Sequence, residues 1–161
     1  MVRKNGSAVA LLLAVFAAGG AHAQDKGCTT GRASIPGNAA DWTQISPNVT
    51  ARHVLVSVRA KGIWHYCPNS CPSDAGGITQ NPPTVSDVKL LALPTATVGT
   101  LIGRIGTDPQ IRKLGTSAAF VAWADGPLYG KMNDLDAYHD NSGSIDITYE
   151  ICPATIVSPS K

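Results

Sequence analysis

The stretch "NDLDAYHDN", Asn133 to Asn141, sets Asp134, Asp136, Asp140 and Asn141 close together in a chain of which only 15% is charged. Carboxylate and amide oxygens are the hard donors that calcium collects, about 6 to 8 of them at about 2.3 to 2.6 Å. The spacing is not that of an EF-hand: counted from Asp134, the fifth, sixth and twelfth positions are Tyr138, His139 and Ile145. Two carboxylates brought to about 4 Å repel by roughly 4 kcal/mol at an effective dielectric of about 20. A fold that converges Asp134 and Asp140 therefore needs a cation or a proton between them. The alternative is that the acids splay into solvent and make Asx turns with nearby amides.

Such donors need rigid elements to hold them. "SIDITYEI" alternates Ile145, Ile147, Tyr149 and Ile151 with Ser144, Asp146, Thr148 and Glu150, the pattern of a strand with one buried face and one wet face. "HVLVSVRA" puts Val54, Val56 and Val58 on one face. "VKLLAL" and "TLIGRI" are short apolar runs, and "AAFVAWA" carries Phe120 and Trp123. Turn clusters separate them, among them "CPNSCPSDAGGITQNPPTVSD", "GTDPQ" and "ADGPLYG". No helix-length apolar periodicity follows the first residues. The expected fold is all-β, an antiparallel β-sandwich of the jelly-roll kind. The segment from Gly27 to Pro47 is polar and carries no clear assignment.

Residues 1–23 read as a cleaved signal peptide, with Arg3 and Lys4 ahead of the apolar "AVALLLAVFAA" and a small-residue "AHA" site. Residues 24–161 then form a single domain, secreted or periplasmic in a bacterium, with no membrane anchor expected. Of 13 Lys and Arg against 11 Asp and Glu, two cations leave with the signal. The resulting near-zero charge argues against a nucleic-acid partner, which concentrated positive charge would favour. Cys28, Cys67, Cys71 and Cys152 remain for an oxidising compartment. Three pairings are open; the favoured one closes "CPNSC" with Cys67 and Cys71 and staples the chain ends with Cys28 and Cys152. A zinc site using Cys67, Cys71 and His65 is the alternative.

"GTLIGRIG" and "FVAWADGPLYGKMNDLDAYHDNSGSIDITYEI", with "VSVRAKGIWHYCP" upstream, resemble the PA-IL family of calcium-dependent galactophilic bacterial lectins and related accessory modules of secreted glycosidases. The resemblance runs from about Val54 to Ile151. It implies a sandwich that holds one Ca2+ and a galactose that coordinates the ion through two adjacent hydroxyls. Matched residue by residue, Asp134 takes the place of the first aspartate ligand, and Asp140 and Asn141 that of an asparagine pair. Tyr66 supplies a backbone carbonyl and Ala137 a second one. Asp134, Asp140, Asn141 and the apolar Leu135 would touch the sugar, with Gln80 in the place of a sugar-binding Gln. The chain departs from the family in a loop one residue shorter, in Asp140 for asparagine, and in having no His among residues 68–83.

The resemblance thus implies a secreted calcium-dependent glycan-binding protein, with a galactoside as its expected partner. The second reading is a calcium-stabilised sandwich with a structural or protein-interaction role and no sugar binding. A monosaccharide of about 12 heavy atoms gains roughly 0.3 kcal/mol from each, a millimolar affinity, so a homo-oligomer or a repeated ligand is expected. Trp64 and Tyr66 offer either a stacking face for a pyranose or core packing. His139 is either a sugar contact or a solvated turn residue. An enzyme is not expected. Glu150 is the only glutamate and faces outward on its strand, the calcium-bound acids would be neutralised, and "NSGS" has no indicated His and Asp partners.

Overall fold

The structure is a computed structural model that describes residues 27–67, 71–78, 89–135 and 138–154. The expected signal peptide and the C-terminal "VSPSK" lie outside these residues. The described residues form nine strands: β1 (Thr29–Pro36), β2 (Thr43–Val49), β3 (Val54–His65), β4 (Pro72–Ser73), β5 (Thr100–Ile105), β6 (Arg112–Lys113), β7 (Ser117–Val121), β8 (Gly126–Asn133) and β9 (Ser142–Pro153). They make two antiparallel sheets. One has the order β1-β9-β3-β4, with β7 also paired to β3; the other runs β2-β8-β5-β6. The expected all-β sandwich is therefore the observed architecture, and no helix of the described residues is long and apolar enough to cross a membrane.

Period-two alternation builds the core. Ile145, Ile147 and Ile151 of β9 and Val56, Val58, Ala60 and Trp64 of β3 face inward, against Leu101 and Ile105 of β5 and Leu128 and Met132 of β8. β3 and β9 pair along their full lengths, from Val54 opposite Pro153 to His65 opposite Ser142. Trp64 is core and no stacking platform: it is fully buried, and its indole N–H donates to the Gly99 carbonyl at 2.8 Å. Its even position in β3 puts it on the face of Val56 and Val58, while neighbouring Ile63 is 58% exposed.

Three segments differ from expectation. The polar stretch after Gly27 holds β1 and β2, in which Gly31, Ala33 and Ile35 supply an inner face too small to register as a hydrophobic run. "GPLYG", expected as a turn, opens β8 and buries Leu128. "VKLLAL", expected as a strand, is a series of turns over its described part. There Leu91 packs with Ile78 and Val98 in a second small cluster, while Leu90 is 73% exposed.

Both favoured disulfides are present. Cys28–Cys152 joins the start of β1 to the end of β9, and Cys67–Cys71 closes the turn between β3 and β4. No thiolate is left for zinc beside His65.

Candidate functional site

The oxygen-rich loop lies between β8 and β9, strands of opposite sheets, so it crosses one end of the sandwich. Its first residue is a structural clamp. Asn133 is fully buried, and its Nδ2 donates to the carbonyls of Leu93, Ala96 and Thr97 at 3.1, 3.0 and 3.3 Å. Its Oδ1 accepts from the Leu93 N–H at 3.0 Å, and its backbone carbonyl accepts from the Gly99 N–H at 2.9 Å. One carboxamide thus holds the 91–99 segment against the sheet. That segment supplies Leu91 and Val98 to the small cluster on which both Tyr66 and Leu135 pack.

The next residue, Asp134, faces Asn141. Asp134 Oδ1 accepts from the Leu135 N–H at 2.8 Å, and Oδ2 accepts from Asn141 Nδ2 at 2.8 Å. Asn141 is buried; its Nδ2 also approaches the Gly37 carbonyl at 3.3 Å and Met132 Sδ at 3.8 Å. Among the described residues, Asn141 Oδ1 has no hydrogen-bond partner. A buried amide oxygen left unpaired carries a desolvation cost of about 1–3 kcal/mol. Burial pushes the Asp134 carboxyl above its usual range, and the charge of Asp140 adds to the rise. The hydrogen bonds from Asn141 and Leu135 and the charge of Lys131 oppose it without cancelling it.

Two glycines let the chain approach this closely. At Gly37 a Cβ would lie 2.6 Å from the Ser142 carbonyl oxygen, so only glycine brings its own carbonyl to Asn141. Gly143 has φ 76°, and its Cβ would lie 2.6 Å from the Ile63 oxygen. The β3–β9 register runs through His65 opposite Ser142, so Tyr66 and Asn141 are the first residues beyond that end of the ladder. The Tyr66 N–H donates to the Cys71 carbonyl at 3.1 Å, within the turn that Cys67 and Cys71 close.

Of the expected site residues, Asp134, Asn141, Leu135 and Tyr66 come together at this end of the sandwich. Asp140 ends a short 3-10 turn, Tyr138–Asp140, and is exposed. His139 is exposed and packs on the Tyr138 ring at 4.1 Å between centroids. Ala137, Asp136 and Gln80 lie outside the described residues. Asn133, Gly37 and Lys131 were not identified from the sequence. Lys131 donates to the Ala40 carbonyl at 2.7 Å and lies 5.7 Å from the Tyr138 ring.

The donor set fits a hard cation. A partly buried carboxylate with a raised pKa sits against an amide whose oxygen lacks a donor, and a second carboxylate, Asp140, is near enough to raise that pKa. A cation would take up these oxygens and remove the cost of burying the charge. The other group of three potential metal ligands among the described residues, Cys28, Glu150 and Cys152, fails on chemistry, since its two sulfurs are bonded to each other.

The fold is similar to a solved structure described as the EclA N-terminal domain, a PllA-like lectin. The TM-score is 0.58 and the sequence identity 18%, over 76% of this chain and 95% of that one. No family model matches the chain, and no curated protein matches it.

Proposed function

We propose that the chain is an exported, calcium-dependent carbohydrate-binding protein whose site is the β8–β9 loop, and that it is not an enzyme. One observation carries the reading: Asn141 Oδ1, buried and unpartnered among the described residues, beside the Asp134 carboxylate. Asp134, Asp140 and Asn141, with the backbone carbonyl of Tyr66, would hold the ion. Without an ion, the Asn141 amide turns its nitrogen to the carboxylate. With an ion, a half-turn of the same amide presents its oxygen.

A cation held by these few groups keeps open positions, and two vicinal sugar hydroxyls are suited to fill them. Leu135, half-buried at the rim, would touch the apolar face of the sugar. The lectin described for the similar solved structure supports looking for a glycan first, and a galactoside is the first to test. The lack of a His among residues 68–83 favours a second reading, in which calcium stabilises the sandwich and no sugar binds.

Calorimetry with a glycan panel, run in calcium and again in chelator, separates the two. The proposal expects millimolar to sub-millimolar binding of at least one galactoside that chelator abolishes. Calcium binding with no response across a broad panel would leave the structural reading in its place.

A further inference from the structure

The outward face of the larger sheet carries a groove of about 430 Å³, lined by residues of β1, β3 and β9, among them Thr30, Arg32, Ser57, Arg59, Thr148 and Glu150. Its size is in the range of small-molecule sites. It is set apart from the β8–β9 loop: Thr148 lies six positions along β9 from Ser142, about 20 Å at the rise of a strand.

The ladder arranges its chemistry in rows. β9 is the middle strand, with β1 on one side and β3 on the other. Glu150 is opposite Thr30 and Ser57, Thr148 is opposite Arg32 and Arg59, and Asp146 is opposite Ser34 and Lys61. The Asp146 row pairs an acid with a cation, as cross-strand neighbours of a stable sheet do. The Thr148 row does not: two guanidiniums flank a hydroxyl where a carboxylate would satisfy both. Arg32, Arg59 and Thr148 are all exposed. Across the ladder neither arginine has an acid opposite it: Arg32 faces Thr148, and Arg59 faces Thr148 and Ser117.

Two guanidiniums two strands apart start about 10 Å from each other at the backbone, within reach of one anion held between them. Arginine's planar fork suits a carboxylate or a sulfate, each of which accepts paired N–H donors. Thr148 offers a hydroxyl beneath that anion. One row away, Thr30, Ser57 and Glu150 offer hydroxyls and an acceptor for neutral polar groups.

We infer that this groove is a second, calcium-independent site for an acidic sugar, its carboxylate or sulfate held between Arg32 and Arg59 above Thr148 and its hydroxyls on Thr30, Ser57 and Glu150. A uronic acid and a sulfated hexose share that chemistry. The site does not depend on the loop reading, because it uses no residue of the β8–β9 loop and needs no ion.

The test is an NMR titration of the oxidised protein in chelator with glucuronate, galactose 6-sulfate, glucose, acetate and inorganic sulfate. Saturable shifts at residues 30–32, 57–59 and 148–150 are expected with at least one acidic sugar and none with glucose. A response to glucuronate alone assigns a carboxylate site, and a response to galactose 6-sulfate alone a sulfate site. Arg59→Gln and Arg32→Gln should each weaken binding about tenfold, the loss expected for a charged hydrogen bond. Thr148→Asp places the missing carboxylate inside the protein; it should abolish binding without lowering the melting temperature. Acidic sugars that bind no tighter than acetate or inorganic sulfate would overturn the inference, as would unchanged binding in Thr148→Asp or in both arginine variants.

Discussion

Asn133 and Asn141 stand at the two ends of one loop, both buried, and the fold treats their carboxamides in opposite ways. Asn133 uses both ends of its amide on the backbone of the 91–99 segment. Asn141 donates its nitrogen to Asp134, while its oxygen has no partner among the described residues. A saturated buried amide is a fastener, since every bond it makes is lost when it is removed. An amide with a spare buried oxygen carries a cost in the resting protein that a suitable cation removes. Hydrogen-bond accounting therefore separates the same residue type in one motif into a structural role and a proposed binding role.

Asn133→Ala should show the largest effect. Four side-chain hydrogen bonds go, and the Ala96 carbonyl loses its donor while those of Leu93 and Thr97 keep the N–H groups of Ala96 and Thr100, for a cost of about 3 kcal/mol. Thermal denaturation should show a fall in Tm on the order of 10 °C in calcium and in chelator alike. A loss that appeared only in calcium would put Asn133 in the binding role and erase the contrast.

Calcium at about 100 times its Kd should stabilise the wild-type protein by about 2.7 kcal/mol. Asn141→Ala should lose most of that increment, while in chelator it costs the Nδ2 hydrogen bonds to Asp134 and Gly37, about 2 kcal/mol. Equal losses with and without calcium would make Asn141 a second fastener.

Asp134→Asn gives the smallest change in chelator and reverses the usual sign for a carboxylate. Burial holds the folded pKa of Asp134 above its ordinary 3.8, so the folded state favours the protonated form. In chelator, the stability this group contributes is fully present below pH 3.8 and is lost as pH rises through the raised folded value. Denaturant unfolding at a series of pH values should therefore show Asp134→Asn at least as stable as wild type at neutral pH. In calcium the order inverts, because the ion needs the carboxylate.

Much of this was legible in the sequence where the pattern is local. Period-two alternation over Ile145 to Ile151 identified β9 because each side chain reports its own face, and the same logic applied to β3 would have placed Trp64 in the core. The two disulfides followed from their spacing and the chain ends. The segment "VKLLAL" misled because an apolar run cannot report that an amide forty residues away holds it in turns. β1 escaped notice because its inner face is built from Gly31, Ala33 and Ile35. At the candidate site, Asp134 and Asn141 were expected as ligands from their oxygen donors, and Tyr66 from the resemblance to known lectins. The approach of Gly37 to Asn141 was not, since it depends on strands far apart in sequence.

The central claim is tested most directly by titrating calcium into the chelator-treated, oxidised protein in a calorimeter, alongside Asp134→Asn and Asn141→Ala. The account predicts one saturable binding event in the wild type and none in Asp134→Asn, with strong weakening in Asn141→Ala. Heats indistinguishable among the three proteins, or no calcium binding by the wild type, would contradict it.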